Sequence, residues 1–175
     1  MRLAFIPVVA AALLAFAPRP AALDDPTIVA IFDAANSYDI ATSELALRTS
    51  HTKAVRDLAE QFKNDHTAVR QQGRDLAKKL KVTPTPPKEN PLAPEHDKAL
   101  KALKGQSGAA FDRAYAAEEV RYHQQVIDAI TGTLLPAIQN AELKALVEKI
   151  APAFQAHLEA AKRLDRELNG GQAKS

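Results

Sequence analysis

Four long segments of this sequence place apolar residues at alternating steps of three and four positions, which is the spacing of a helix that buries one face. Glycine is limited to 6 residues and runs of β-branched residues are absent, so local propensity favours helix almost throughout. We therefore predict an all-α protein. The four segments cover about residues 26–48, 53–80, 107–139 and 141–168.

The connections between these segments differ in length. Thr49-Ser50 leaves a short turn after the first helix, and Asn140 caps the fourth helix directly after the third. The prolines within Thr83–Pro87 end the second helix, because each proline removes a donor and bars its predecessor from helical geometry. Short first and third connections with a longer second one predict an antiparallel, up-down-up-down four-helix bundle. Within the Pro-rich linker, Glu95–Lys104 fits a short surface helix.

Individual helix ends carry further signals. Asp25-Pro26 predicts the start of the first helix, with a capping carboxylate and a proline in the first turn. Gly132 and Pro136 leave the end of the third helix open, and Pro152 predicts a kink in the fourth.

The N-terminus has the pattern of a secretory signal. Arg2 supplies a positive start, and Leu3–Ala17 is a mainly apolar run that is too short to span a bilayer. We predict a signal peptide over residues 1–22 and a single domain over residues 23–175, located in the periplasm or secreted. The alternative is an uncleaved N-terminal anchor.

Charge and cysteine content limit the classes of partner. Removing residues 1–22 takes away Arg2 and Arg19, and 21 basic and 21 acidic residues remain. This balance argues against nucleic acid as a partner, and we expect no strong membrane association after cleavage. The chain has no cysteine, so any bound metal must be held by nitrogen and oxygen atoms.

Three histidines fall on the apolar faces of three different predicted helices. His66 lies between four and five helical turns after Ser50, and His123 and His157 lie equally far before and after Asn140. In the predicted topology the turn between the first and second helices and the turn between the third and fourth helices lie at the same end of the bundle. At about 1.5 Å per residue, the three imidazoles then share one layer.

Carboxylates accompany this layer. Asp65 precedes His66, and Glu119 lies four residues before His123 on the same helix face. Such side chains supply oxygen ligands or orient an imidazole N–H group. The predicted set for a metal is His66, His123, His157, Asp65, Glu119 and Asp39.

Asp39 is the weakest member of this set. It lies on the buried stripe of the first helix, but its depth is about one and a half turns from the histidine layer, and Asn36 lies closer. The chain also lacks the Glu-x-x-His motifs of di-iron bundles. A mononuclear site with three histidines and a carboxylate is easier to build than a di-iron site.

Other interpretations of the same residues stay open. The histidine layer is also consistent with a hydrogen-bonded polar core, or with a pH sensor whose imidazoles charge together near pH 6. His51 and His96 are expected to be solvated surface residues. Tyr115 and Tyr122 are expected to belong to the core.

The mature chain, over about residues 27–168, resembles an exported bacterial family known as domain of unknown function 4142. The resemblance implies a ferritin-like helical bundle and an exported location, and it implies no established reaction. Where the family commonly has Glu near the end of its first motif, this chain has the shorter Asp39. The matching motifs are Ala35-Asn36-Ser37-Tyr38-Asp39-Ile40 with Leu45-Ala46, Phe62-Lys63-Asn64-Asp65-His66-Thr67, Phe111-Asp112-Arg113-Ala114-Tyr115 leading to His123, and Pro152 followed by His157.

Two functions follow from these patterns. The first is an exported bundle that binds a divalent transition metal ion, Fe, Mn or Zn, through core histidines and carboxylates. The second is a non-enzymatic envelope stress or interaction protein with a structural histidine layer, whose partner is an envelope protein or a second copy of the chain. The sequence has no nucleotide-binding loop, Gly-x-Ser-x-Gly motif or cysteine nucleophile, and we predict no specific reaction.

Overall fold

The computed structural model describes residues 23–88 and 93–170, and all regular structure within these ranges is helical. The all-α prediction is confirmed. The predicted signal peptide over residues 1–22 lies outside the described residues. In the described ranges no helix combines the length and the apolar character needed to cross a membrane. The helices are α1 (Asp25–Thr49), α2 (Lys53–Leu80), α3 (Ala93–Lys104), α4 (Gly108–Ala129) and α5 (Ala141–Gly170).

The first helix is capped by Asp24 and not, as predicted, by Asp25. Asp24 has the extended backbone that a cap requires, and its Oδ1 accepts the N–H of Thr27 at 2.9 Å. Asp25 is already helical, so its carboxylate is free for another role. It accepts the backbone N–H groups of Gln139 and Asn140 at 2.9 and 2.8 Å, which ties the start of α1 to the turn between α4 and α5.

The α4–α5 connection follows the sequence signals closely. Asn140 accepts two backbone N–H groups of the first turn of α5 at 2.9 and 3.0 Å, which confirms it as a cap. The chain does not leave its helical path at Gly132. A π-helical turn, Ile130–Leu134, and a last helical turn, Leu135–Ala137, extend α4 almost to this cap. Pro152 lies inside the continuous helix α5.

Helices α1 and α2 are antiparallel neighbours. Asp33, early in α1, forms an ion pair with Arg74, late in α2. Leu47, at the end of α1, accepts a hydrogen bond from Arg56 at the start of α2. The short α1–α2 turn therefore produces the helix pair that the sequence predicted.

The order of the remaining helices differs from the prediction. Asp25 holds the α4–α5 turn, and Lys79 near the end of α2 pairs with Glu142 at the start of α5. At the opposite end, Thr52 in the α1–α2 turn donates to Asp112 near the start of α4. Helices α2 and α4 thus run in the same direction, and the up-down-up-down order is wrong. The four long helices run up, down, down and up.

The length of the linker explains this difference. Helix α2 has 28 residues, so a chain that returns to its start must travel about 42 Å. The linker contains α3, whose 12 residues span about 18 Å, and each extended residue adds about 3.3 Å. It is therefore long enough to cross the bundle from end to end. The short helix predicted in the linker is confirmed, beginning two residues earlier than expected.

The interior consists of two apolar clusters with polar residues between them. On each long helix, buried polar positions separate members of one cluster from members of the other. The cluster near the α4–α5 turn includes Ile28, Phe32, Ile130, Leu143 and Phe154. The cluster near the α1–α2 turn includes Leu45, Val55, Phe62, Phe111 and Leu164. The residues between them, called here the polar layer, are Asn36, Asp39, Thr42, Ser43, His66, Glu119, His123 and His157.

Candidate metal centre

Three histidine side chains meet in the polar layer. His66 on α2, His123 on α4 and His157 on α5 are 1%, 0% and 5% exposed. Their ring centroids lie between 5.1 and 5.5 Å apart, and one potential ligand nitrogen from each ring lies within 4.8 Å of the other two. The structure thus brings together the three histidines that helical periodicity selected.

Two of the imidazoles have one nitrogen held by an acceptor. The Nε2 of His157 lies 3.0 Å from Oδ2 of Asp65. The Nδ1 of His123 lies 3.0 Å from the backbone carbonyl oxygen of Glu119. Because a carboxylate and a carbonyl only accept hydrogen bonds, each of these ring nitrogens carries the proton.

The third imidazole is held by an amide. The Nδ1 of His66 lies 2.9 Å from Oδ1 of Asn36. The orientation of this amide is fixed, because the Nδ2 of Asn36 donates to the carbonyl oxygen of Phe32 at 2.8 Å. An acceptor therefore faces His66 as well, and its proton lies on Nδ1.

The remaining nitrogens of the three rings are consequently lone-pair donors. A neutral imidazole has one N–H group, so the Nε2 of His66, the Nε2 of His123 and the Nδ1 of His157 have no proton. The first and third of these atoms lie 3.3 Å apart, and in these tautomers neither donates to the other; the second has no hydrogen-bond partner. A set of inward lone pairs, each with its outer N–H bonded to an acceptor, is the usual arrangement of metal-binding histidines.

Burial keeps these imidazoles neutral. Loss of solvation lowers the pKa of His66 well below its usual range and lowers the pKa of His123 to about 3. Burial also lowers the pKa of His157, against the opposing effect of its bond to Asp65. The lowered pKa values argue against the pH-sensor alternative, because a sensor of this kind needs the three rings to become charged together near pH 6.

Two buried carboxyl groups complete the layer. Asp39 and Glu119 are each 1% exposed, and with His123 they form a second group whose potential ligand atoms lie within 4.8 Å of one another. Burial, with repulsion from Glu119, raises the pKa of Asp39 well above its usual range. Burial also raises the pKa of Glu119 to about 8, against a hydrogen bond from Thr42. The pair therefore retains protons near neutral pH, and a cation in the layer would favour their release.

Asp39 lies closer to the histidines than its position in the sequence indicated. Its Oδ2 is 3.6 Å from Nδ1 of His66, whereas counting along the helices placed it one and a half turns away. Side chains in a helix lean towards the N-terminus of that helix. Because α1 and α2 are antiparallel, the side chains of Asp39 and His66 lean towards each other, and the gap closes.

Asp65 has a different position from the other predicted oxygen ligands. Its side chain is 49% exposed, and it contacts the outer nitrogen of His157. The structure thus places Asp65 as a partner that orients His157. Asn36, which was not in the predicted ligand set, has the same relation to His66.

The predictions for the remaining histidines and tyrosines were confirmed in part. His51 is exposed, and Tyr115 and Tyr122 are buried in the core, as predicted. His96 is not a solvated surface residue: its ring stacks on Tyr38 with centroids 4.0 Å apart and lies 5.0 Å from Tyr122. The prediction failed because α3 packs against α1 and α4 through this ring.

Comparison with known proteins relates the chain to a solved helical structure and to a sequence family. The solved structure of CopM in the Cu(II)-bound form has a TM-score of 0.63 with this chain at 16% sequence identity, over 83% of this chain and 98% of CopM. At this identity the likeness shows a shared helical fold. No curated protein sequence matches the chain significantly. The sequence model described as Domain of unknown function (DUF4142) matches residues 11–164, and the chain therefore belongs to this family.

Proposed function

We propose that this protein is an exported, ferritin-like helical bundle that binds one divalent transition metal ion through His66, His123 and His157. The observation that carries the proposal is the set of three inward lone pairs. All three outer N–H groups are bonded to acceptors, so the inner nitrogens face one another without protons.

The spacing of these nitrogens supports the proposal. A tetrahedral ion with metal–nitrogen bonds of about 2.0–2.1 Å holds its ligand nitrogens about 3.3–3.4 Å apart. The inner nitrogens of His66 and His157 lie 3.3 Å apart. The pair therefore has the separation of two ligands before any ion is bound, and His123 offers a third ligand nitrogen within 4.8 Å.

The donor set favours late first-row ions. Imidazole nitrogens suit Zn, Cu, Fe and Ni, and at a given site Cu²⁺ binds more tightly than its neighbours in the series. The structural neighbour CopM was solved in a Cu(II)-bound form. We therefore add Cu(II) to Fe, Mn and Zn as the ions to test, and we place it first. Asp39 or Glu119 would supply an oxygen ligand and the negative charge that offsets the ion.

The fold and location in this proposal have separate support. A bundle with two antiparallel helix pairs joined by one long crossover is the arrangement of ferritin-like proteins. The positive start and apolar run of residues 1–22 favour export. The equal numbers of acidic and basic residues in the rest of the chain disfavour nucleic acid as a partner.

A second candidate function is a structural polar layer in an envelope interaction protein. Its support is that the outer nitrogens of all three histidines are satisfied by protein groups alone. In that case the layer would help to specify the bundle, and the partner would be an envelope protein or a second copy of the chain.

Metal binding at equilibrium separates the two functions. Tag-free protein would be titrated with Cu(II), Zn(II), Fe(II) and Mn(II), with bound metal measured by elemental analysis after gel filtration. We expect one equivalent of at least one ion, with a higher midpoint of thermal unfolding. His123→Gln should abolish uptake while helical content persists, and His51→Gln, at an exposed position, should bind as the wild type does. Less than 0.1 equivalent (about the background of such measurements) for every ion, with an unchanged midpoint, would support the structural alternative.

A further inference from the structure

We propose that metal ions reach the histidine cluster through the contact between α2 and α5, and that Asp65 is the carboxylate that receives them at the surface. This inference rests on the proposed function, because it concerns access to the same three histidines.

Exposure differs sharply across the polar layer. Asn36, Asp39, His66, Glu119 and His123 are each at most 1% exposed. The side chain of His157 is 7% exposed, and that of its partner Asp65 is 49% exposed. The layer therefore comes closest to solvent at His157.

Asp65 connects this position to solvent directly. Among the three acceptors that hold the histidines, Asn36 and Glu119 belong to the buried layer, whereas Asp65 lies on the outer surface of α2. Its carboxylate oxygen lies 3.0 Å from Nε2 of His157. A surface carboxylate attracts cations over about a Debye length and is itself a ligand for first-row ions.

The surroundings of His157 offer little obstruction. Ala153 and Ala160 lie one helical turn before and after it on α5, and their side chains are small. A surface depression of about 250 Å³ between α2 and α5 begins at Gln61 and Ala160, each one turn from Asp65 or His157, and extends from there towards the α1–α2 turn. On the proposed route, the His157 ring rotates away from Asp65 to admit the ion past these small side chains.

Another side of the layer is closed. Tyr38, Tyr115 and Tyr122 are at most 6% exposed, and the hydroxyl groups of Tyr38 and Tyr122 are hydrogen-bonded to Glu118 and to the backbone of Ala35. An ion entering here would have to displace these aromatic rings, which are large and anchored.

The rate of Cu(II) uptake tests this route. The chain has no tryptophan and its three tyrosines are buried, with the ring of Tyr122 6.2 Å from His123. Quenching of tyrosine fluorescence by Cu(II) in a stopped-flow instrument therefore reports arrival at the layer. For the wild type we expect an association rate constant that falls as the salt concentration is raised from about 10 to 300 mM. Over this range the Debye length falls from about 30 Å to below 10 Å.

Asp65→Asn keeps an oxygen acceptor for His157 and removes the charge. We expect its association rate constant at low salt to fall at least about fivefold and to lose most of its salt dependence. Asp65→Glu should restore both properties. Asp75→Asn removes the same charge from an exposed position elsewhere on α2 and should leave the rate within about twofold of the wild type.

Two results would overturn the access route while leaving the metal site intact. One is an Asp65→Asn rate constant within about twofold of the wild type at low salt. The other is a change confined to the dissociation rate, which is the effect of a residue that only orients a ligand. Absence of equilibrium Cu(II) binding by the wild type would instead contradict the proposed function itself.

Discussion

The Nε2 of His66 and the Nδ1 of His157 lie 3.3 Å apart, and both carry a lone pair. This relationship follows from the acceptors on the far sides of the two rings, Asn36 and Asp65. Two facing lone pairs repel each other, and a cation shared between them would replace the repulsion with two bonds. The acceptors that fix the protons are thus as important to the site as the nitrogens that would bind the metal.

Removing the acceptor on His66 should weaken metal binding. In Asn36→Ala the proton of His66 is free to move to Nε2, from which it can donate to Nδ1 of His157 and satisfy both lone pairs. We expect the dissociation constant for Cu(II) to rise about 10- to 100-fold. Asn64→Ala, at an exposed position on α2, is the control, and fluorescence titration measures both. Equal affinities in the two variants would argue against tautomer control.

Protonation of His123 should contribute to acid unfolding of the metal-free protein. Its pKa is lowered to about 3 in the folded state, against about 6.5 when unfolded. The unfolded state therefore binds more protons between these values, and stability falls as pH drops below about 6.5. The free energy of unfolding, from urea titrations at pH 7 and 5, should decrease more in the wild type than in His123→Gln, by about 1.4 kcal/mol per pH unit. Identical decreases in the two proteins would contradict a buried neutral His123.

Glu119 should have the opposite effect to His123 on how the stability of the protein depends on pH. Its pKa is raised to about 8 in the folded state, so the folded protein binds more protons than the unfolded chain between about pH 4.5 and 8. Stability from this group is present at low pH and is lost as pH rises through that window. The stability of Glu119→Gln relative to the wild type should increase by more than about 1 kcal/mol between pH 5 and pH 8. The exposed Glu44→Gln should show no such trend in the same urea titrations.

Two glycines offer a matched test of the packing between α1 and α2. A Cβ at Gly73 would lie 2.7 Å from a ring carbon of Phe32, whereas a Cβ at Gly132 would have no atom within 4 Å. Gly73→Ala should therefore destabilise the protein by about 1–3 kcal/mol. Gly132→Ala should stabilise it by up to about 1 kcal/mol, because alanine is the better helix former. Thermal unfolding of both variants checks the signs, and a stabilising Gly73→Ala would contradict the close approach of Phe32.

Helical periodicity was sufficient to find the three histidines, because burial on a helix depends on a local pattern. Their common depth was predicted from a topology that proved wrong. The histidines still share one layer because they lie near the middle of their helices. His66 is almost as far from Ser50 as from Leu80, and His123 is almost as far from Ser107 as from Asn140. A residue at mid-length keeps its layer when a helix is reversed.

Helical periodicity could not predict the direction of α4 or the distance between Asp39 and His66. The sequence shows that the linker is long but contains no local signal for whether it returns or crosses. The distance from Asp39 to His66 depends on the lean of two side chains across antiparallel helices, which counting of Cα positions ignores. The role of Asn36 depends on the orientation of its amide, which is set by its bond to the carbonyl of Phe32.

The most direct test of the metal site is the electron paramagnetic resonance spectrum of tag-free protein loaded with one equivalent of Cu(II). Ligation by His66, His123 and His157 predicts nitrogen superhyperfine coupling from three imidazoles. This coupling should diminish when any one of the three is replaced by glutamine and should be unchanged in His51→Gln. A wild-type spectrum that is indistinguishable from that of the triple glutamine variant would contradict the account.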